Sequence, residues 1–390
     1  MTIPNVKLNK YLQKIKDDIE NYKINEAELY LNLLKSKYKI PQLTENYLNA
    51  KIEILKNNYN LATEYLKKID QGFFYNQSRY LISKLYLMKS NFDHGDKYFI
   101  SRLSRGKKLD RKLYLEKNLN IPIWNFEKNC KVILWQDFSI GETILFLRLL
   151  YFFKSFKKTN FTIFIDPRLI RFFNIYFPEF SFVDYNIQPE TSKYDFQLPI
   201  GSLIKILDNN SFNKIREIPS LRIDTDLPQD ENLITLFMAT HESKNHIHKS
   251  INFQMLLKIL EPLKNTYKFQ VINPTKGREF LEDLLITNNF NIKKIEKEIF
   301  HNLENLAQIL LTSKLSLMTS CTESYIASFL GIKSVILYNK SFTSNWMWHH
   351  CNKDFKNIWF QNLYCFPFTK NEQKISFDHF PDLLKIISAE

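Results

Sequence analysis

The chain has 390 residues, 44% hydrophobic and 15% aromatic, with a formal net charge of +13. That length exceeds what one hydrophobic core usually covers, and the apolar content excludes an intrinsically disordered chain, so two or three packed domains are expected. The longest apolar run, Ile144 to Phe153, is too short to cross a bilayer and contains Arg148. No basic-then-apolar leader opens the chain, and Cys130, Cys321, Cys351 and Cys365 lack CxxC or disulfide-framework spacing. These features predict a soluble, cytoplasmic protein with no membrane span and no cysteine-rich zinc site.

The charge is uneven. Residues 1–120 hold 23 Lys or Arg against 13 Asp or Glu, a balance of +10 that leaves +3 for the remainder. A basic front could attract nucleic acid, anionic lipid or an acidic partner. The absence of a dense basic run favours solvated helix faces instead, so nucleic acid is not the expected partner.

The front third reads as helical and repeats. Tyr59, Ala62, Tyr65 and Leu66 recur as Phe92, Gly95, Tyr98 and Phe99, and Ala27, Tyr30 and Leu31 precede them, at a period near 34 residues. Small residue, aromatic, large apolar at this period resembles the tetratricopeptide repeat, in which the small residue lets two helices approach. Such a solenoid implies a concave face for a peptide or protein; the alternative is that the helices only brace the adjoining domain. Gly106 to Asn129 reads as a connector. From Lys131 short β-branched or aromatic runs alternate with helical ones, which implies parallel sheets. The expected strands are Val132–Trp135, Phe161–Ile165, Phe180–Val183, Asp195–Leu198, Leu233–Met238, Phe269–Ile272, Leu315–Met318 and Val335–Tyr338. Helices are expected at 142–155, 167–176, 251–264, 276–286, 303–313 and 323–330. Ile218 to Asp230, with two prolines, is a natural linker. The expected domains are therefore helical repeats over 1–120 and α/β domains over 121–228 and 229–390, with ligand in the cleft between the last two.

The stretch from Trp135 to Leu150, WQDFSIGETILFLRLL, resembles the opening of the sugar-transferase domain of glycosyltransferase family 9, the heptosyltransferases. Trp135, Gly141 and Arg148 fall on that family's pattern, while Asp137 stands where glutamate is usual, Ser139 replaces a glycine, and Glu142 stands at an aspartate. Tyr194–Leu203, the block around Lys249, Leu303–Tyr338 and Asn345–His350 are similar to further family segments, in order. The family's Asp-Thr pair is Ser320-Cys321 here, its helix histidine is Tyr325, and Trp346 and Trp348 stand at its tryptophans.

The resemblance implies a GT-B fold and transfer of a sugar from a nucleotide-activated donor to a glycan or protein acceptor, with no cofactor and no bound metal. No Asp-x-Asp pair sits at a strand end in these blocks. Lys249 stands at a phosphate-contacting position, and the helix start at Ser320, Cys321, Thr322 and Glu323 would lie against the donor. Glu142, with Asp137 nearby, would take the acceptor's proton. Each residue also has a purely structural reading. Ser139-Ile-Gly-Glu142 and Ser320-Cys-Thr-Glu323 both fit the capping box S-x-x-E. Lys249 also fits a solvated helix start. His241, His246 and His248 lack the helical spacing of a zinc site. Trp346, Trp348, His349 and His350 either line the donor cleft or cover the sheet edge. A transferase fold that has lost its chemistry and serves as a scaffold is the alternative reading.

Overall fold

In the computed structural model the described residues are 5–103, 121–156, 158–208, 211–223, 225, 227–238, 246–273, 275–295, 302–371 and 374–389. Part of the expected connector, 106–120, and His241 lie outside them. Among the described residues no helix is long and apolar enough to cross a membrane.

Six helices form three consecutive hairpins: α1 (Asn5–Glu20) with α2 (Ile24–Lys37), α3 (Gln42–Leu55) with α4 (Tyr59–Lys67), and α5 (Tyr75–Met88) with α6 (Phe92–Phe99). The small residues sit at the contacts, Ala27 and Ala62 being fully buried. The three turns share one geometry: Tyr22, Asn57 and Ser90, each two residues before the next helix, have φ of 60°, 63° and 61°. The repeat seen in the sequence is thus also a repeat of backbone shape.

Beyond the helices lie two sheets. The first is parallel throughout, in the order β3-β2-β1-β4, from β1 (Lys131–Trp135), β2 (Asn160–Ile165), β3 (Ser181–Asp184) and β4 (Phe196–Pro199). Helices α7 (Ile140–Leu147) and α8 (Pro167–Tyr176) follow β1 and β2, and the short α9 (Phe212–Glu217) follows β4. The second sheet has the order β10-β9-β8-β7-β5-β6. Its strands are β5 (Asp230–Phe237), β6 (Lys268–Val271), β7 (Ser313–Thr319), β8 (Ser334–Asn339), β9 (Leu363–Asn371) and β10 (Lys374–Ser376), with only β10 antiparallel. Between them run α10 (His246–Lys249), α11 (Phe253–Leu260), α12 (Thr275–Thr287), α13 (Leu303–Leu311) and α14 (Thr322–Phe329), and α15 (Phe380–Ser388) closes the chain. An N-terminal helical region followed by two parallel-sheet α/β halves is the expected fold class.

All eight expected strands are present. The expected helix 142–155 divides instead: α7 ends at Leu147, and Arg148–Phe153 tighten into a 3₁₀ turn. The Arg148 guanidinium, 1% exposed, donates to the carbonyls of Ile218 (2.9 Å) and Trp359. Strands β9 and β10 were not expected, because Pro367 interrupts the run. Pro367 lies opposite Tyr338 of β8, outside the Thr369–Asn371 stretch that pairs with β10, where a missing N–H is tolerated.

One apolar core runs through the second and third hairpins, the first sheet, α14 and the segment from Trp346 to Phe360. Trp124, Trp135, Trp348 and Trp359 are at most 2% exposed. Burial of each such ring contributes up to about 4–6 kcal/mol at ~25 cal/mol per Å². The second sheet has a separate core with α11, α12 and α15.

Candidate functional site

Strand order places the site. In an open parallel sheet, loops leaving the carboxyl ends on either side of an order reversal diverge and leave a crevice. The first sheet reverses between β1 and β4, so its crevice lies among Gln136–Glu142 and Pro199–Ser202. The second reverses between β5 and β7, so its crevice lies at the carboxyl ends of those strands, by Met238 and Ser320–Glu323, and the Lys249 charge bears on it. The two reversal points touch. A Cβ placed on Gly141, in the first turn of α7, would overlap the ring of Tyr325 on α14, so only glycine allows these helices to approach as they do.

On the first side, Asp137 is buried and committed. One carboxylate oxygen accepts from Arg102 Nε at 2.7 Å, the other from the Gly201 amide at 2.8 Å, and the side chains of Arg102 and Asp137 are 3% and 0% exposed. Arg102 also donates to Ser202 Oγ (2.9 Å) and the Phe99 carbonyl (3.1 Å). The expected proton acceptor beside Glu142 is thus the counter-ion that ties the end of the helical array to the β1 and β4 turns. Glu142 itself is half-buried in the first turn of α7. Ser139 stands at the N-cap, but its hydroxyl bonds the Glu142 carboxylate and makes no side-chain bond to a backbone amide. The expected capping box is replaced by a serine that orients a glutamate, because at hydrogen-bond range the charged carboxylate is a stronger acceptor for the hydroxyl than an amide is a donor to it.

On the second side, the box exists one residue later than expected. Cys321 is the N-cap of α14, and Ser324 answers it: the Cys321 amide donates to Ser324 Oγ at 3.3 Å, and that hydroxyl donates to the Cys321 carbonyl at 2.6 Å. Ser320 is displaced from the cap because its Oγ accepts from Trp348 Nε1 at 2.9 Å. Glu323 is therefore not the residue that answers the cap, and its carboxyl takes its own amide and the Cys321 thiol instead. Glu323 is half-buried beside Thr322 at the helix start, and burial pushes its carboxyl above the usual range against the hydrogen bonds from its own amide and Cys321 and, last, the pull of the Lys249 charge. Burial, then the Glu323 charge, pushes the Cys321 thiol well up, so it is held as a neutral thiol rather than a thiolate.

Lys249 ends α10 and is half-buried, and its charge bears on both Cys321 and Glu323. No ion pair involves it among the described residues. Tyr325 completes the cluster: burial, then the Glu142 charge, raises its phenol, whose hydroxyl donates to Met347 Sδ at 3.2 Å. Glu142, Tyr325, Cys321, Glu323 and Lys249 thus form one electrostatically connected group spanning both halves.

Trp346 and Trp348 fill the interior rather than line an opening. Trp348 is fully buried against Tyr325 at 4.8 Å, and Trp346 packs on Phe146, His350 and Trp359. His350 accepts at Nδ1 from Trp359 Nε1 (2.8 Å), which leaves Nε2–H to donate to the Leu87 carbonyl of α5. Burial holds His349 and His350 down to about 3 and about 4. Arg102, Gly201 and Tyr325's packing role were missed from sequence; the only local signal was Pro199-Ile-Gly-Ser202 following a strand, a turn placed at the first reversal point.

No protein-family model matches the chain, and no curated protein does. Solved structures similar to it include an iron-containing dodecameric glycosyltransferase from enterotoxigenic E. coli (11% identity, TM-score 0.38, 56% of this chain and 59% of that one). Others are a glycosyltransferase family 9 protein from Veillonella parvula (10%, 0.43, 66% and 91%) and a mutant O-GlcNAc transferase from Thermobaculum terrenum (10%, 0.33, 99% and 90%). The match spans under two thirds of the E. coli dodecamer's chain, and at these identities and scores the likenesses carry no argument about chemistry.

Proposed function

We propose that this chain is a glycosyltransferase that moves a sugar from a nucleotide-activated donor to a glycan or protein acceptor. The observation that carries the reading is the meeting of two strand-order reversal points, with a carboxylate on one side and an amine and a helix N-terminus on the other. The donor's diphosphate would take its positive potential from Lys249 and from the dipole at the start of α14, so no metal is called for. Ser320, Cys321 and Thr322 would shape that turn. Glu323, shifted towards its neutral form, repels a diphosphate less than an ordinary glutamate and would hydrogen-bond a sugar or ribose hydroxyl. As the acceptor oxygen bonds the anomeric carbon and the bond to the diphosphate breaks, Glu142 takes the hydroxyl proton and the charge leaves on the nucleoside diphosphate. Asp137 would act by holding the turn that carries Glu142. We read residues 1–120 as a tetratricopeptide-like array that holds the acceptor, 121–228 as the acceptor-side half and 229–390 as the donor-side half.

Calorimetry with ADP, UDP and GDP tests the donor side. Binding by one of them that is lost in Lys249→Ala supports it, and no binding by any of them refutes it. A second reading, a scaffold without chemistry, is favoured by the packing of Tyr325 on Gly141 and Trp348 where a ligand would otherwise sit. Sugar transfer or donor hydrolysis abolished by Glu142→Gln excludes it.

A further inference from the structure

The turn between α1 and α2 contains a residue that its backbone does not suit. The corresponding positions of the other two hairpins are Asn57, whose residue type tolerates a left-handed conformation, and Ser90, which has a small side chain. Tyr22 holds φ at 60° with a bulky side chain that is only 1% exposed. Tyrosine at such a turn is strained by about 1 kcal/mol or more, so something its side chain does outweighs that cost.

Its phenol reaches into the donor-side half. Asn339, the last residue of β8, donates from Nδ2 to Tyr22 Oη at 2.7 Å and to the His248 carbonyl at 3.1 Å. Tyr22 Oη lies 2.8 Å from His248 Nδ1, and its acceptance from Asn339 leaves the phenol proton for that nitrogen. The His248 ring also stacks on Phe342 with centroids 4.9 Å apart and planes within 11°. Asn339 is fixed in turn, its Oδ1 accepting from the Ser341 amide at 3.0 Å. These grips on α10 all fall on His248, the residue next to Lys249.

We propose that Tyr22, with Asn339, is a positioning residue that holds the His248–Lys249 turn, so that the first helical hairpin sets where the Lys249 amine stands relative to the start of α14. The role of Lys249 rests on the donor-binding reading; the holding of the turn does not. Tyr22 touches no donor atom and acts through His248. A long four-carbon side chain carries much rotamer freedom, and fixing its backbone removes part of the cost of aiming it.

Tyr22→Phe removes the hydroxyl and keeps the ring. Hydrogen–deuterium exchange across 246–250 is expected to rise in this variant while the thermal midpoint stays near wild type. Affinity for whichever of ADP, UDP and GDP the wild type binds should fall roughly threefold to tenfold, the range of one ordinary hydrogen bond. With donor sugar, KM should rise while kcat holds. His248→Phe, which keeps the stacking, should reproduce both effects, and the double variant should be no worse than either single one. Unchanged exchange in Tyr22→Phe overturns the proposal. So does unchanged nucleotide affinity in that variant alongside loss of binding in Lys249→Ala. If the wild type binds no nucleoside diphosphate, the transferase reading falls, and the exchange measurement still decides whether Tyr22 holds the turn.

Discussion

Asp137→Asn removes one charge from a pair with no access to water. At 2.7 Å and an effective dielectric of 20, the attraction between Arg102 and Asp137 is roughly 6 kcal/mol, and desolvation of both groups offsets much of it. The variant keeps an oxygen for the Gly201 amide but turns an NH₂ group toward Arg102 Nε–H, donor against donor, and leaves a buried guanidinium that donates to the Phe99 carbonyl and Ser202 hydroxyl without its carboxylate. Breaking a buried pair in this way costs about 3–5 kcal/mol, a large share of the stability of an ordinary domain. Urea unfolding followed by circular dichroism and tryptophan fluorescence measures it, and the joint variant Arg102→Met with Asp137→Leu should recover most of the loss. A cost below about 1 kcal/mol, or strict additivity in the cycle, refutes the fastening role. A normally stable Asp137→Asn protein without transferase activity would place Asp137 among the reacting groups instead.

Gly141→Ala pushes a methyl into the Tyr325 ring, so it should destabilise by about 1–3 kcal/mol and be partly relieved by Tyr325→Leu, read from thermal midpoints. The pH dependence comes from His350, held down to about 4 when folded against roughly 6.5 unfolded. Between those values the unfolded chain binds a proton that the folded one refuses, so stability is full above pH 6.5 and falls as pH drops towards 4. From pH 6.5 to 5 the loss is about 2 kcal/mol for this group, and His349 adds to the slope. Denaturation at pH 7 and pH 5 should show a shallower difference in His350→Gln; the same difference would sink the assignment. Glu142→Gln should lower the transfer rate by about 10²–10⁴ with donor affinity little changed, the usual effect of losing a positioned base; equal loss of affinity would make Glu142 a binding residue.

The strands were readable because buried parallel strands are short, mostly apolar runs, and each of the eight expected from Val132 to Tyr338 became one. β9 was hidden by Pro367, whose placement depends on where its neighbour stops. The hairpins were readable from Ala27, Ala62 and Gly95, since close helix packing demands small residues at a fixed period. The site was readable as a pair of blocks, Gly141–Glu142 and Ser320–Glu323, but not in its hydrogen bonds. S-x-x-E cannot say whether the serine caps an amide or holds the glutamate, and Trp348, 28 residues away, decides the matter for Ser320. Arg102 counted among the solvated bases of the front third, yet its side chain is only 3% exposed. Its partner lies 35 residues on, beyond any local pattern. Tyr22 and Asn339 are 317 residues apart and carry no motif at all.

The hairpin array meets the half built on the second sheet through a series of paired contacts. Tyr22 of the first turn takes Asn339; around the second turn, the Leu55 carbonyl and Asn57 take Ser341, and Tyr59 takes the Lys340 carbonyl; from the third hairpin, Lys84 takes Ser344 and the Leu87 carbonyl takes His350. An open solenoid can gain or lose a repeat at modest cost, because each unit meets only its neighbours. This one is indexed. A hairpin inserted between the first and second would carry Tyr22 away from Asn339 and leave the segment after β8 matched to the wrong turn, so new repeats fit only ahead of α1. The number and register of these three hairpins are therefore part of the sheet domain's own structure, and a chain with one deleted should lose the loop geometry after β8 along with a helix pair.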